Sequence, residues 1–215
     1  MTAVPDFTPS LISPQLSEAE LFLEQPLKLG VLASGSGSNF EAIAQAIENK
    51  ELNAVIQVLI YNIPDAKVKE RADRWNIPTV FLNHRDYKKR EDLDTAIVDI
   101  LKEYQVEWVI MAGWMRIVTE VLVNAFPNHV INIHPSILPS FKGIHAIEQA
   151  LQAKVKVTGC TVHLVSVEVD SGLILMQAVV PILSDDTPET LHARIQVQEH
   201  RIFPQAIVLA AKLII

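Results

Sequence analysis

Leu27-Lys28-Leu29-Gly30-Val31-Leu32-Ala33-Ser34-Gly35-Ser36-Gly37-Ser38-Asn39 runs from an apolar stretch into alternating glycine and serine. Residues 27–33 read as a buried strand. Residues 39–49 read as a helix with Phe40, Ile43, Ala44 and Ile47 on one face. Strand, glycine turn and helix make the first unit of an alternating pattern. Further strands are expected at 54–61, 79–82, 108–112 and 130–133. Helices are expected at 66–76 (ended by Pro78), at 91–104 (Leu93, Ile97, Ile100 and Leu101 on one side) and, shorter, at 119–126. Such alternation demands a parallel sheet covered on both faces.

The pattern then changes. Residues 158–167 and 173–182 are β-rich runs flanking Asp170-Ser171-Gly172, a composition that suits a connection between antiparallel strands. A long helix at 188–211 closes the chain, with a kink or break expected at Pro204. The fold class is α/β: a Rossmann-like open, mainly parallel sheet with helices on both faces and antiparallel strands near the C-terminal part. Residues 27–215 are expected to form a single domain. Residues 1–26 hold Pro5, Pro9, Pro14 and Pro26, no strand-like run and no Lys or Arg. They read as a flexible arm with one short helix at 17–24, capped by Ser17. Neither a secretory signal nor a transit peptide is expected there, and the cytoplasm is the expected compartment.

Composition narrows the function classes. The chain has 215 residues, 49% of them apolar, enough for a sizeable core. No apolar run approaches the roughly 18 residues that span a bilayer, so no membrane partner is expected. Lys and Arg number 18 against 25 Asp and Glu, a net charge of −7, which argues against nucleic acid as a partner. A lone Cys160 excludes an internal disulfide and a multi-thiolate zinc site. Small molecules are the expected partners.

The turn at 34–39 has the makings of a phosphate cradle. Glycines allow a tight turn, its N–H groups point outward, and the helix start favours an anion. The third glycine of the dinucleotide fingerprint is missing, and Tyr61-Asn62 stands where an acidic ribose ligand would be. No Lys-Ser/Thr follows the glycines, so the turn is not a Walker loop. A phosphomonoester suits it better than NAD or ATP; a capped βα turn without ligand is the alternative.

In Ile131-Asn132-Ile133-His134-Pro135-Ser136, Asn132 and His134 alternate with isoleucines and project from one face at a strand's carboxyl end. An amide and an imidazole there suit a developing oxyanion. Asp170 suits either a turn or a carboxylate that orients His134 and relays a proton. Trp114 and Met115, after another strand, suit the lining of a pocket for a flat heterocycle; Arg116 suits a carboxylate. Gln196 and Glu199 share a face of the last helix. No metal-ligand spacing is present, and His84, His129, His145, His163, His192 and His200 are scattered.

Five segments in order, Ser34-Gly35-Ser36-Gly37-Ser38-Asn39, Ala112-Gly113-Trp114-Met115-Arg116-Ile117, Ile131-Asn132-Ile133-His134-Pro135-Ser136, Val169-Asp170-Ser171-Gly172 and Gln196-Val197-Gln198-Glu199-His200, resemble the folate-dependent phosphoribosylglycinamide formyltransferase family of purine synthesis. The resemblance runs from Leu27 to about Ala211. It implies formyl transfer from 10-formyltetrahydrofolate, a co-substrate, to the amine of phosphoribosylglycinamide, with no metal. It implies Asn132, His134 and Asp170 as catalytic. It assigns Gly35, Ser36, Gly37, Ser38, Asn39, Gln196 and Glu199 to the phosphoribosyl substrate. Arg90, Met115, Arg116, Ile117, Val118, Asn132, Ser166, Val167, Glu168, Val169 and Asp170 would contact the folate. Two departures stand out: the N-terminal arm, and an end at Ile215 where many relatives continue. Residues 140–143 follow the family's loop only loosely and receive no role.

Three other readings carry some of these features. Formyltetrahydrofolate deformylase would use water as acceptor, but the glycine turn and Glu199 favour an amine-bearing ribonucleotide. Methionyl-tRNA formyltransferase would call for a basic C-terminal domain and a different charge balance. A non-catalytic folate or nucleotide sensor would not require Asn132, His134 and Asp170 together. Oligomeric state is not legible in the residues.

Overall fold

The computed structural model describes residues 11–214. Its strands are β1 (Ile12–Ser13), β2 (Leu27–Ala33), β3 (Ala54–Tyr61), β4 (Thr79–Phe81), β5 (Trp108–Met111), β6 (Val130–His134), β7 (Val157–Leu164) and β8 (Ile174–Pro181). Its helices are α1 (Glu18–Leu21), α2 (Ser38–Glu48), α3 (Val68–Arg74), α4 (Arg90–Glu103), α5 (Glu120–Ala125), α6 (Ala146–Gln152) and α7 (Pro188–Ile214). One sheet runs in the order β1-β8-β7-β6-β5-β2-β3-β4. Strands β2 to β6 are parallel; β7 is antiparallel to β6, β8 to β7 and β1 to β8. The mainly parallel α/β sheet read from the sequence is therefore the fold, with its antiparallel part where the β-rich runs lie.

Period-two alternation builds two cores. Leu29, Val31 and Ala33 of β2 pack with Phe40 and Ile43 of α2 and with Phe203 and Ile207 of α7. Leu32, on the other face, packs with Leu93, Ile97 and Leu101 of α4 and Leu122 of α5. Because both faces are covered, the parallel strands read as unbroken apolar runs.

Three expectations need correction. The arm is not free over residues 11–26: Ile12 and Ser13 pair with Ala178 and Gln177 of β8, and Ile12 and Leu23 are buried. Ser17 caps a single helical turn through a capping box with Glu20. Lys212 Nζ donates to Ala19 O (3.2 Å), and Asn53 Nδ2 to Leu23 O (2.9 Å). A two-residue strand has no periodicity to detect; it forms because β8 would otherwise be an unpaired edge. The part of the expected arm at 1–10 lies outside the described residues. Next, of the kink or break expected at Pro204, the break is absent: α7 runs through it as one helix. Pro204 is buried, and packing of α7 on β7, β8 and α2 holds the helix past one missing N–H. Finally, α6 went unpredicted, although Ala146, Ile147 and Ala150 are spaced to bury one face.

Strand β3 lies on one side of β2 and β5 on the other, so the crossovers leave in opposite directions and open a crevice at the carboxyl ends. Ser34 N–H donates to Gly113 O (3.0 Å), and Met115 N–H to Ser34 Oγ (2.9 Å), joining the two turns that border it.

Candidate active site

The glycine turn leaves β2 and enters α2. Gly37, the residue before the helix, has φ +75°, and a Cβ there would overlap Val68 of α3. Only glycine meets both demands. Gly35 and Ser36 are exposed; Ser38 and Asn39 turn toward α7. Gln196 Nε2 donates to Ser38 Oγ (3.3 Å), and Asn39 Nδ2 to Glu199 Oε2 (2.9 Å). Glu199 is therefore no solvated helix residue: it is 4% exposed. Burial raises its carboxyl pKa, and the Asn39 bond offsets that only in part. Behind the turn lies a cavity of about 700 Å³ between α1, α2 and α7, lined among others by Ser38, Glu41, Arg71 and His200. None of Asn132, His134 and Asp170 lines it.

Leu32, Met111 and Asn132 are successive neighbours across β2, β5 and β6. The turn after β2 thus stands two strand spacings, about 10 Å, from the end of β6. There Ile131 and Ile133 point into the core, while Asn132 and His134 point to the opposite face. Asp170 Oδ2 lies 3.3 Å from His134 Nδ1. The three residues singled out from the sequence are brought together, although His134 and Asp170 are 36 positions apart in the chain.

A fourth side chain completes the cluster. His163, opposite Asn132 in the β6–β7 ladder, places Nε2 3.2 Å from Asn132 Nδ2 and 3.6 Å from Asp170 Oδ1. Its Nδ1–H donates to Leu164 O (2.8 Å), since a carbonyl oxygen can only accept. Sequence reasoning passed over His163 as scattered. The available signal was its place two residues after Thr161, opposite the apolar face of Cys160, Val162 and Leu164. The loop given no role also contributes. Gly143 N–H donates to Asp170 Oδ2 (2.8 Å), and His134 Nε2 donates to Phe141 O (2.8 Å). Lys142 Nζ reaches Ser171 Oγ (2.5 Å). Burial pushes the Asp170 carboxyl up, but bonds from His163 and Gly143 and the charge of His134 together hold it below the usual carboxylate range. Asp170 has φ +50°, a left-handed turn conformation that aspartate tolerates.

The residues assigned to a folate divide. Met115 (71% exposed), Arg116 and Ile117 are open to solvent after β5, as are Val167, Glu168 and Val169 after β7. Val118 is buried, in the core that also receives Val165. Trp114 is not a pocket wall: it belongs to the α4–α5 core at 6% exposure. Arg90 and Arg116 share a small cleft with His84, Tyr87, Lys88, Lys89 and Leu93. Ser166 Oγ bonds to Glu168 O within its own loop (2.9 Å). Cys160 is buried among apolar side chains, and burial drives its thiol pKa far up. No described helix is long and apolar enough to cross a membrane.

Residues 27–207 match the formyl transferase family. The chain is similar to the human trifunctional purine biosynthetic protein adenosine-3, with 42% identity over 190 residues, 88% of this chain and 19% of that protein. It therefore spans about a fifth of the length of the trifunctional relatives it matches. It is 41% identical over 180 residues to the phosphoribosylglycinamide formyltransferase of Bacillus subtilis, 84% of this chain and 92% of that one. Among solved structures it resembles glycinamide ribonucleotide transformylase 1 from Symbiobacterium toebii, with a TM-score of 0.86 and 43% identity, over 89% of this chain and 90% of that one.

Proposed function

The chain belongs to the formyl transferase family, and we propose that it moves a formyl group from 10-formyltetrahydrofolate to the amine of phosphoribosylglycinamide in purine biosynthesis. The observation that carries the reading is the convergence of Asn132, His134, His163 and Asp170 at the end of β6, beside the glycine turn at the end of β2. Relatives named for this reaction support it along most of the chain.

A formyl amide is a weak electrophile, so the barrier lies in forming and resolving a tetrahedral intermediate. The neutral amine adds to the formyl carbon, and the carbonyl oxygen takes the electron pair. Asn132 and protonated His134 donate to that oxygen. In the structure Asn132 bonds with His163, and His134 Nε2 with Phe141 O. His134 Nε2–H accordingly exchanges the Phe141 carbonyl for the substrate oxygen, while Nδ1 stays with Asp170. The carboxylate of Asp170 holds His134 Nδ1 in place and takes part in moving a proton from the new ammonium to the folate nitrogen. As the C–N bond to folate breaks, that nitrogen leaves protonated. The turn at 35–39, with Gln196 and Glu199, holds the phosphoribosyl part. Arg90, the 115–118 segment and the 166–170 loop receive the folate. Holding two reactants in one crevice supplies much of the remaining rate.

Purified protein incubated with both substrates tests the reading, with a control lacking the nucleotide. Formylated nucleotide should appear only in the complete mixture; formate released without nucleotide would point instead to a deformylase. Asp170→Asn keeps an acceptor for Gly143 N–H but loses the charge, and His134→Ala removes the imidazole. Each should retain the wild-type circular dichroism spectrum and lose at least about 100-fold in kcat, the scale of one oxyanion donor, 2.7–4 kcal/mol. Near-normal turnover in either variant would remove the assignment.

A further inference from the structure

One face of the glycine turn is clamped by α3. Val68 N–H donates to Gly35 O (3.2 Å), and Arg71 Nε–H donates to Ser36 O (2.8 Å). Both peptide units are trans. In a trans peptide the carbonyl and the following N–H point to opposite sides. Pinning Gly35 O and Ser36 O toward α3 therefore aims Ser36 N–H and Gly37 N–H away from it, on one side of the turn. Among the described residues neither N–H has a hydrogen-bond partner. Two adjacent N–H groups aimed to one side make an anion-binding concavity.

We infer that Arg71 is a positioning residue for this anion site, acting through the Ser36 carbonyl without touching substrate. The inference rests on the reading of residues 34–39 as a phosphate cradle. The guanidinium is itself held from a second direction. Arg71 Nη1 donates to Glu41 Oε2 (3.0 Å), in the first turn of α2. Arg74 Nη2 reaches the same oxygen (3.1 Å), and Trp75 Nε1 donates to Glu41 Oε1 (3.2 Å). Burial would raise the Glu41 carboxyl, but these donors hold it below the usual range, so it stays a charged anchor. A planar guanidinium can serve a carbonyl and a carboxylate at once, with fixed angles between its donors. Arg71 thus sets the tilt of one peptide unit relative to the helix that follows it. Arg74 shares the anchor but not the turn, which makes it the natural control.

The test uses the full-length protein, with backbone amides of Ser36 and Gly37 followed by NMR as inorganic phosphate is added. In the wild type both amides should shift on saturation. In Arg71→Met the phosphate Kd should rise about tenfold or more, equivalent to roughly 1.4 kcal/mol. In Arg74→Met, which removes the same charge from Glu41, it should change less than about twofold. Steady-state kinetics should show the same split: Arg71→Met raises KM for phosphoribosylglycinamide and leaves KM for the formyl donor unchanged. Should Arg71→Met fail to fold, Arg71→Lys, with charge but no fork, is titrated in its place and should bind phosphate several-fold more weakly. Equal phosphate affinity in wild type and the Arg71 variant, or an equal loss in Arg74→Met, overturns the role of Arg71 while leaving the turn's reading intact. Ser36 and Gly37 amides that ignore phosphate in the wild type overturn the cradle itself, and the substrate side of the proposed function with it.

Discussion

Burial raises the carboxyl pKa of both Asp170 and Glu199, but only Asp170 has partners enough to reverse it. The two therefore respond oppositely to pH. For Glu199 the folded pKa lies above the unfolded one; its contribution to stability is full below the ordinary glutamate range and is lost as pH rises toward the folded value. For Asp170 the folded pKa lies below; its contribution is present above the ordinary aspartate range and is lost as pH falls through the folded value. Glu199→Gln keeps the shape and removes the burial penalty on a charge. Its Tm should gain on the wild type as pH is raised from 5 to 8, measured by calorimetry at several pH values. A wild-type Tm that climbs relative to the variant over that interval would contradict a raised Glu199 pKa.

At the scale of elements, the start of α2 depends on one backbone conformation. Gly37 combines a left-handed φ with contact against Val68, so Gly37→Ala meets both a conformational cost and an overlap. The two together are about 2–4 kcal/mol, read from urea unfolding. Phosphate binding should weaken in parallel, because α3 cannot both clear the new methyl and hold Gly35 O and Ser36 O. Glycine-serine alternation made this turn legible in the sequence. The alternation of Asn132 and His134 with isoleucines likewise fixed their shared face. His163 was less legible, because its strand, β7, joins β6 only through long-range pairing, and register between strands is not written in local spacing.

For the whole molecule, the N-terminal segment joins the sheet at its edge and α7 at its side. Ile12 and Leu23 are the buried apolar anchors. Removing residues 1–26 forfeits their burial, about 3–6 kcal/mol, and should lower Tm by roughly 10 °C. It also bares β8 as an edge strand, so the truncated chain should self-associate in sedimentation velocity more than the full one at equal concentration. An unchanged Tm and sedimentation coefficient would show that the segment contributes nothing to the fold's stability. Proline content pointed to a loose arm, yet prolines at 5, 9, 14 and 26 leave room for one hydrogen-bonded pair and one capped turn between them.

The order of apolar runs, glycine turns and amphipathic helices was enough to determine a parallel α/β sheet, its antiparallel continuation, and the carboxyl-edge positions of the 34–39 turn, Asn132 and His134, because those depend on periods of two and 3.6 residues and on local backbone freedom. Tertiary structure alone decided that Glu199 is buried against Asn39, that Trp114 is core, that His163 joins Asp170, that Arg71 grips Ser36, and that residues 12 and 13 close the sheet. Each of these is a tertiary contact, formed only when the sheet sets its strand order and the helices pack on its faces, and no local preference encodes it.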